Sequence, residues 1–250
     1  MAVSNPHFNK VSEEYDKGRV SEDIWFWAGE AETLAHLDSS SLVVDMGCGT
    51  GNYGLDIQAR TRATVIGFDP SAGMLKQAKE KTPEFSVVQS VAEHMPFRGN
   101  VFDLLYAAQV WHHIIDKQEA ANECYRILKR GGTKIAHTIS HDQLNQKAVF
   151  KFFPEIRQNQ LDVYPSDEAF KEYFRNAGFR LTEVYPYDME RYQSADEFIE
   201  IAEKKLWSMF RPITQAGLAR GVAELRRWKA EHGDAPIRND EMITLFVGRK

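Results

Sequence analysis

Cysteine is scarce in this chain of 250 residues, which contains only Cys48 and Cys124. The two lie far apart, in different predicted elements, so they provide neither a disulfide framework nor the spacing of a zinc site. Long hydrophobic runs are missing too: no stretch reaches the roughly 18 apolar residues that cross a bilayer, and the N-terminal segment lacks the apolar region of a secretion signal. We therefore expect a cytoplasmic protein with no membrane partner.

An excess of positive charge is also absent, since the formal net charge is −5. This balance argues against a surface that binds nucleic acid as a whole and leaves open a local basic patch. Hydrophobic residues make up 43% of the chain and aromatic residues 12%. That content is enough for the core of one large α/β domain, or of one domain with an insertion.

Apolar, β-branched runs alternate with helical patterns in the first part of the chain. Strands are predicted at 42–46, 63–68, 85–89, 101–106 and 133–139, and helices at 52–60, 71–81 and 117–129. The last helix is expected to stop at the pair Gly131-Gly132. The alternation predicts a parallel sheet with helices on both faces, and in such sheets the ligand lies at the carboxyl ends of the strands.

The pattern changes after residue 140. Residues 143–177 and 194–232 look helical, whereas 179–187 and 241–249 read as strands, and the final strand is expected to return to the same sheet. We therefore expect one domain over 1–250. Its predicted parts are an N-terminal helical lid at 1–40, a ligand-binding core at 41–140, and helical cap insertions at 141–178 and 188–239.

The stretch "LVVDMGCGTGNYGLDI", residues 42–57, places Gly47, Gly49 and Gly51 at alternate positions, and Gly54 completes a G-x-G-x-x-G pattern. Glycine at a strand-to-helix turn lets the backbone approach a ligand, and the following helix offers free N–H groups. The pattern alone is weak. It fits a tight turn, a cradle for a dinucleotide pyrophosphate, or a cradle for the amino-acid and ribose parts of S-adenosylmethionine.

Two carboxylates next to these glycines favour the third interpretation. Asp45 precedes Gly47, where it would repel a pyrophosphate but could engage a cationic amino group directly or through water. Asp69 ends the next predicted strand, eighteen residues after Gly51. A carboxylate at that strand tip can accept hydrogen bonds from both ribose hydroxyls, a feature that suits either cofactor.

Four segments resemble the successive motifs of one family: "VVDMGCGTG", "VIGFDPSAGMLKQAKEK", "VVQSVAEHMPFRGNVFDLLYAAQVWHHI" and "EAANECYRILKRGGTKIAHTIS". The chain resembles the class I S-adenosylmethionine-dependent methyltransferases, and among them the small-molecule enzymes of the ubiquinone-biosynthesis and trans-aconitate type. The resemblance covers residues 8–140 and weakens over 141–238. It implies an α/β fold with a doubly wound, Rossmann-like, seven-stranded, mostly parallel sheet whose last strand is antiparallel, plus a helical cap.

The resemblance also implies which residues contact S-adenosylmethionine and its product S-adenosylhomocysteine. The glycine turn would hold the methionine part and Asp69 the ribose, while Met74, Ala92 and Glu93 would contact the adenine. Gln109, Val110 and Trp111 would lie beside the methionyl end, next to the transferable methyl, and an N-terminal segment would fold over the cofactor. The residues so implied are Tyr15, Arg19, Asp45, Gly47, Cys48, Gly49, Gly51, Asp69, Pro70, Met74, Ala92, Glu93, Gln109, Val110 and Trp111.

Methyl transfer from a sulfonium needs positioning and exclusion of water, and a base only where the acceptor retains a proton. His112 and His113 follow the fourth strand, and either could be that base or a structural residue. His137, His141 and Asp142 suggest a metal site, but four residues of strand span about 13 Å, too far for one ion. No metal is therefore expected.

The second half of the chain carries no clear motif. Its aromatic residues are expected in the core, with some in a cap over the acceptor, and the basic residues Arg220, Arg226, Arg227 and Lys229 favour a solvated helix face or a contact with an anionic substrate. We expect acceptor selection in 141–238 and around Trp25 and Trp27. The hypothesis is methyl transfer to a small organic molecule. The alternatives are an RNA or protein methyltransferase, or a non-catalytic S-adenosylmethionine-binding module, and the oligomeric state is open.

Overall fold

The chain folds into a large sheet flanked by helices in a computed structural model, which describes residues 8, 9, 12, 16 and 21–250. The strands are β1 Leu42–Met46, β2 Thr64–Asp69, β3 Ser86–Gln89, β4 Phe102–Ala108, β5 Leu128–Thr138, β6 Arg180–Met189, β7 Tyr192–Gln193, β8 Ile237–Arg238 and β9 Glu241–Arg249. The helices are α1 Ser21–Ala35, α2 Asn52–Thr61, α3 Ala72–Lys81, α4 Lys117–Ile127, α5 His141–Asn145, α6 Val149–Phe152, α7 Glu155–Val163, α8 Asp167–Ala177, α9 Ala195–Glu203 and α10 Gln215–His232.

Seven strands form one sheet in the order β3-β2-β1-β4-β5-β9-β6. The pairs β1–β2, β2–β3, β1–β4 and β4–β5 are parallel. One strand of the sheet is antiparallel, and reciprocal hydrogen bonds at the end of β9 agree with this, since Gly131 N donates to Lys250 O and Lys250 N donates to Gly132 O. The predicted fold class is confirmed.

Buried apolar side chains explain why these segments became central strands. The inner residues of β1 and β4 are almost completely buried, as expected for strands covered on both faces. Asp45 of β1 pairs with Tyr106 of β4, and Ala108 of β4 pairs with His137 of β5. The carboxyl ends of three neighbouring strands therefore bring polar side chains to one edge of the sheet.

The chain divides into two compact units. One contains residues 1–138, 169–185 and 245–250, and the other contains 139–168 and 186–244. The core of the second unit draws on both of its segments, with Val149, Phe153 and Ile156 from one and Phe198, Phe210 and Leu225 from the other. Helix α8, which lies in the expected cap, belongs instead with the sheet core through Phe170 and Phe174.

The expected helix stop at Gly131-Gly132 is wrong. Helix α4 ends at Ile127, and Leu128 is already extended, fully buried and paired with Phe102 of β4. The register then shifts, so that Leu104 pairs with Thr133, and Gly131 takes a φ of 79°. The glycine pair therefore accommodates an irregularity inside β5 rather than ending a helix.

The second half contains shorter elements than the sequence patterns predict. The helical stretch 143–177 is divided among four helices, because Pro154 precedes α7 and the capping residue Ser140 begins α5 separately. The two-residue strands β7 and β8 pair antiparallel in a second, small sheet that the periodicity does not predict. The strand predicted at 241–249 is present as β9.

Candidate functional site

The glycine turn after β1 has the backbone conformation that only glycine adopts readily. Gly47, Gly49 and Gly51 have φ values of 68°, 54° and 85°. At Gly47 a Cβ atom would lie 2.4 Å from Cγ2 of Val110, and at Gly51 it would lie 3.0 Å from Cε1 of Phe85. The turn is therefore restricted to glycine by both conformation and space.

Asp69 at the end of β2 organises this turn. Its Oδ2 accepts a hydrogen bond from Gly49 N at 3.1 Å, and its Oδ1 accepts one from Ser71 N at 2.8 Å. Burial raises the pKa of the Asp69 carboxyl, and the two backbone N–H groups act against that rise. The carboxylate thus lies beside the glycine turn, where the sequence predicts a ribose-binding group.

Asp45 supports the turn from the sheet side. Only 2% of its surface is exposed, and its Oδ2 accepts a hydrogen bond from Gly54 N at 3.0 Å. Burial raises the pKa of the Asp45 carboxyl to about 7, and the charge of Asp69 adds to this effect. A Cβ atom at Gly54 would lie 2.9 Å from the same oxygen. The fourth glycine of the motif is therefore needed for close contact with Asp45.

A small pocket opens in front of the turn. It is lined by Gly47, Cys48, Gly49, Thr50, Asn52, Tyr53 and Ala108. Sequence reasoning missed Thr50, Asn52, Tyr53 and Ala108, although the first three lie at or just after the glycine turn. Burial raises the pKa of the Cys48 thiol well above its usual range, so Cys48 is a neutral wall of the pocket.

Two described residues of the N-terminal segment contact the borders of this turn. Asp16 accepts hydrogen bonds from Thr50 Oγ1 at 2.8 Å and Asn52 Nδ2 at 2.9 Å, and Lys81 Nζ lies 2.6 Å from its other oxygen. Burial raises the pKa of Asp16, but the hydrogen bonds, with that of Lys81 foremost, and the Lys81 charge lower it overall. Tyr15 and Arg19 lie outside the described residues.

Asn9 makes the second contact. Its Oδ1 accepts hydrogen bonds from Ser71 Oγ at 2.6 Å and from Gly73 N at 3.0 Å. Ser71 is the N-cap of α3 and accepts from Met74 N. The segment therefore contacts the N-termini of both helices that flank Asp69. This agrees with the expectation of an N-terminal segment beside the cofactor site.

The residues predicted near the adenine follow the ends of β2 and β3. Met74 and Ala92 are buried, at 1% and 7% exposure. The Pro70 carbonyl accepts a hydrogen bond from Gln89 Nε2 at 3.0 Å. Glu93 uses Oε1 to accept hydrogen bonds from the backbone N–H groups of residues 115 and 116, so it also holds the loop before α4.

The tip of β4 has an unusual backbone. Gln109 takes a φ of 52°, and its N–H donates to the His137 carbonyl at 2.8 Å. The next residue, Val110, lies against the glycine turn and occupies the space that a Cβ atom at Gly47 would need. Trp111 is fully buried, and its ring packs against Phe170 and Phe174 with centroid distances of 5.3 and 4.9 Å. The indole of Trp111 is therefore a core side chain.

His112 and His113 form a short 3-10 turn with Trp111. Their ring centroids are 3.8 Å apart, and the His113 ring contacts Phe8 at 5.2 Å. His112 is half-buried and His113 is exposed. Both imidazoles follow the tip of β4, two strands from Asp69, and a role in proton transfer stays a prediction.

His137 and His141 have separate protein partners. His137 Nδ1 lies 2.8 Å from Tyr106 Oη, whereas His141 Nε2 lies 2.8 Å from the Tyr164 carbonyl. Among the described residues, no group of three or more His, Cys, Asp or Glu side chains is arranged to hold a metal ion.

The basic residues of α10 are engaged in ion pairs. Arg220 pairs with Glu155, Arg226 with Glu203, Arg227 with Glu224, and Lys229 with Asp196. These pairs are largely exposed, so each contributes little to stability. They match the solvated helix face that the sequence suggested, and they offer an anionic substrate little uncompensated charge.

Comparisons with known proteins agree with this geometry. Residues 44–136 match the family model described as "Methyltransferase domain". A demethylmenaquinone methyltransferase of Lactiplantibacillus plantarum is 34% identical over 136 residues, which are 51% of this chain and 57% of that protein. A ubiquinone/menaquinone biosynthesis C-methyltransferase of Campylobacter jejuni is 24% identical, over 70% of this chain and 88% of that protein. Residues 44–136 therefore match a methyltransferase domain, and these relatives support a class I S-adenosylmethionine-dependent methyltransferase.

A solved structure agrees with this methyltransferase fold. The protein comes from Anabaena variabilis and is described as a methyltransferase of an antibiotic biosynthesis pathway. It shares 19% sequence identity, covers 89% of this chain and 96% of its own, and has a TM-score of 0.73. At this identity the likeness concerns the fold. None of the described helices combines the length and apolarity required to span a membrane.

The site suits the methyl donor of this family, S-adenosylmethionine. Gly47, Cys48 and Gly49 of its glycine turn form one wall of the pocket. Asp69 presents a carboxylate next to that wall, as a ribose requires. The pocket-lining residues include no charged side chain that would repel a positively charged sulfonium.

Proposed function

We propose that this methyltransferase uses S-adenosylmethionine to methylate a small organic molecule of the hydroquinone class. The single observation that carries the cofactor part is the glycine turn held by Asp69, in a chain whose residues 44–136 match a methyltransferase domain. The acceptor class is proposed from the quinone-biosynthesis relatives. Because the first of these is matched over only 57% of its length, the acceptor is a proposal for this chain.

We assign roles to the site residues on the same basis. Gly47, Cys48, Gly49 and Gly51 border the methionine part, with Asp45 behind them. Asp69 and Pro70 hold the ribose, and Met74, Ala92 and Glu93 border the adenine. Gln109, Val110 and Trp111 shape the methyl-transfer end.

Methyl transfer sets three requirements for the protein. S-adenosylmethionine supplies an electrophilic methyl group when bound. The chain must hold the acceptor in line with that group, exclude water, and accept the proton that the acceptor loses. His112 and His113 lie after the tip of β4 and are our candidates for the proton acceptor, because a neutral imidazole can accept a proton near neutral pH.

A labelled-methyl assay tests the proposal. The chain is incubated with radiolabelled S-adenosylmethionine and one acceptor at a time: prenylated hydroquinones, small amines, or total tRNA. We expect label in the hydroquinone fraction only. Label in tRNA would favour the RNA-methylating alternative, and label in the amines would move the acceptor to another small-molecule class.

A binding measurement separates catalysis from simple cofactor binding. Calorimetry should show that the chain binds S-adenosylmethionine and S-adenosylhomocysteine but not NAD. Binding without turnover on a broad metabolite extract would support a non-catalytic module. Binding of NAD alone would refute the assignment of the glycine turn.

A further inference from the structure

Tyr53 has a position that the roles above leave unexplained. It is the second residue of α2, it is half-buried, and it is the aromatic member of the described residues that line the pocket. The other lining residues are glycine, cysteine, threonine, asparagine and alanine. Tyr53 therefore supplies the large side chain of this pocket.

A rigid aromatic support lies behind Tyr53. Its ring centroid is 5.3 Å from that of His137 and 5.7 Å from that of Tyr106. Tyr106 and His137 are buried, and Tyr106 Oη lies 2.8 Å from His137 Nδ1. The ring of Trp27, also buried, meets His137 edge-on at 4.6 Å. This packing holds the ring of Tyr53 at the pocket.

The His137 support is also tied to the tip of β4. The His137 carbonyl accepts the Gln109 N–H at 2.8 Å, which fixes Gln109 in its left-handed conformation. One residue of β5 therefore contacts both the pocket tyrosine, through its ring, and the β4 tip, through its backbone. A change in the His137 side chain should move Tyr53 while leaving this backbone bond in place.

Two carboxylates lie near the pocket, and both accept backbone hydrogen bonds. Asp45 is almost fully enclosed and accepts the Gly54 N–H, while Asp69 accepts two backbone N–H groups, and neither lines the pocket. The residues that line the pocket thus include the ring of Tyr53 and no carboxylate. The face of an aromatic ring carries negative potential and attracts cations within about 6 Å.

We propose that the ring of Tyr53 recognises the positive sulfonium of S-adenosylmethionine, and that the hydrogen-bonded pair Tyr106–His137 positions that ring. The inference rests on the proposed function, because it takes S-adenosylmethionine as the ligand. Transfer of the methyl removes the positive charge, so the same ring holds the neutral S-adenosylhomocysteine less well. Tyr53 would then favour exchange of product for fresh cofactor.

Binding measurements test this without any acceptor. Affinities for S-adenosylmethionine, for S-adenosylhomocysteine, and for sinefungin, whose protonated amine replaces the sulfonium methyl, are measured by calorimetry. Tyr53→Leu should weaken both cationic ligands by roughly 2- to 30-fold, the range of a cation–π contact, and change the neutral ligand less than twofold. Tyr53→Phe keeps a π face and should retain most of the discrimination.

A fluorinated side chain separates charge recognition from shape. Trifluorophenylalanine at position 53 keeps the size of phenylalanine but removes the negative potential of the ring. It should lower affinity for the two cationic ligands relative to Tyr53→Phe, with the affinity for S-adenosylhomocysteine unchanged. This comparison also replaces Tyr53→Leu if that variant does not fold.

Variants at His137 test the positioning role. His137→Asn retains an acceptor near the position of Nδ1 and should keep the selectivity for cationic ligands, whereas His137→Leu should lose part of it. Tyr192→Leu, at an exposed tyrosine, is the matched control and should change none of the three affinities.

The outcomes are distinct. Equal losses for all three ligands in Tyr53→Leu, or no effect of fluorination, would overturn the recognition of charge by Tyr53. Unaltered selectivity in His137→Leu would overturn the positioning role. A wild-type chain that binds neither S-adenosylmethionine nor S-adenosylhomocysteine would instead refute the proposed function.

Discussion

Lys134 of β5 should destabilise the fold, so replacing it with methionine should stabilise it. The Lys134 side chain is completely buried, and its Nζ has no hydrogen-bond partner among the described residues. The amine lies 3.1 Å from the ring centroid of Phe174, 5.0 Å from that of Phe170 and 5.9 Å from that of Trp111. Burial lowers the pKa of Lys134 well below its ordinary value.

These surroundings determine the expected change in the free energy of unfolding. A desolvated cation–π contact contributes about 2 kcal/mol or more, which is less than the several kcal/mol that a buried, unpaired charge costs, so we expect the amine to be neutral in the fold. A neutral amine without a partner still costs about 1–3 kcal/mol. Lys134→Met removes that cost and, below about pH 10.4, also the cost of deprotonating the amine on folding. The free energy of unfolding should therefore rise by at least about 1–3 kcal/mol, and by more at pH 7 than at pH 9.

The pH dependence distinguishes this explanation from a simple packing effect. Because the pKa is lowered in the fold, the unfolded chain binds more protons from the folded pKa up to about 10.4. Lys134 therefore makes wild-type stability rise with pH across this window, by up to about 1.4 kcal/mol per pH unit. The gain from Lys134→Met should shrink correspondingly between pH 7 and pH 9.

Urea unfolding of both proteins at pH 7 and pH 9 measures the effect. Lys129→Met is a matched control in the same strand, because the Lys129 side chain is 45% exposed and pairs with Asp103. That control should change stability little. A destabilised Lys134→Met variant with an unaltered pH dependence would refute the reasoning, since it would mean that the amine is charged and paired in the fold.

Three further predictions concern the glycine turn. Gly47→Ala places a Cβ atom 2.4 Å from Val110 and strains a φ of 68°, so calorimetry should show loss of S-adenosylmethionine binding and the free energy of unfolding should fall by about 1–3 kcal/mol. Asp69→Ala should weaken cofactor binding by about 1–3 kcal/mol through lost hydrogen bonds, and wild-type affinity in the folded variant would contradict the ribose assignment. Asp45 has a pKa near 7 in the fold, so its proton is retained as the unfolded carboxyl ionises, and wild-type stability should fall as pH rises from about 4 to 7. Asp45→Asn should flatten that part of a denaturation-versus-pH profile, and an unchanged slope would show that Asp45 ionises normally.

The order of strands and helices in the first half could be predicted because each buried strand is a short apolar run bordered by helical periodicity. The glycine turn and Asp69 were found for the same reason, since a strand end fixes where their atoms lie. Gly131-Gly132 misled the prediction because a helix stop and a strand irregularity use the same residue type. What decides between them is the burial of Leu128 against β4, which is a tertiary contact.

The remaining parts of the site depend on contacts distant in sequence. Nothing local shows that Asp16 meets Thr50, or that Asn9 meets Ser71, because these pairs are 34 and 62 residues apart. Tyr53 is an aromatic residue in the first turn of an ordinary amphipathic helix, and its support by His137 requires β4 and β5 to be aligned. In the second half, proline and capping residues mark some helix ends, but the sequence offers no motif that relates them to an acceptor.

The interleaved order of the two units sets a rule for exchanging the second unit between related proteins. The unit of 139–168 and 186–244 comes from two separate excursions of the chain, yet its core contains side chains from both. If only one of the two segments were replaced, Phe153 and its neighbours would pack against residues other than Phe198 and Phe210. The four points where the chain passes between units are therefore the junctions of a single transplantable module, whose two parts must be transferred together.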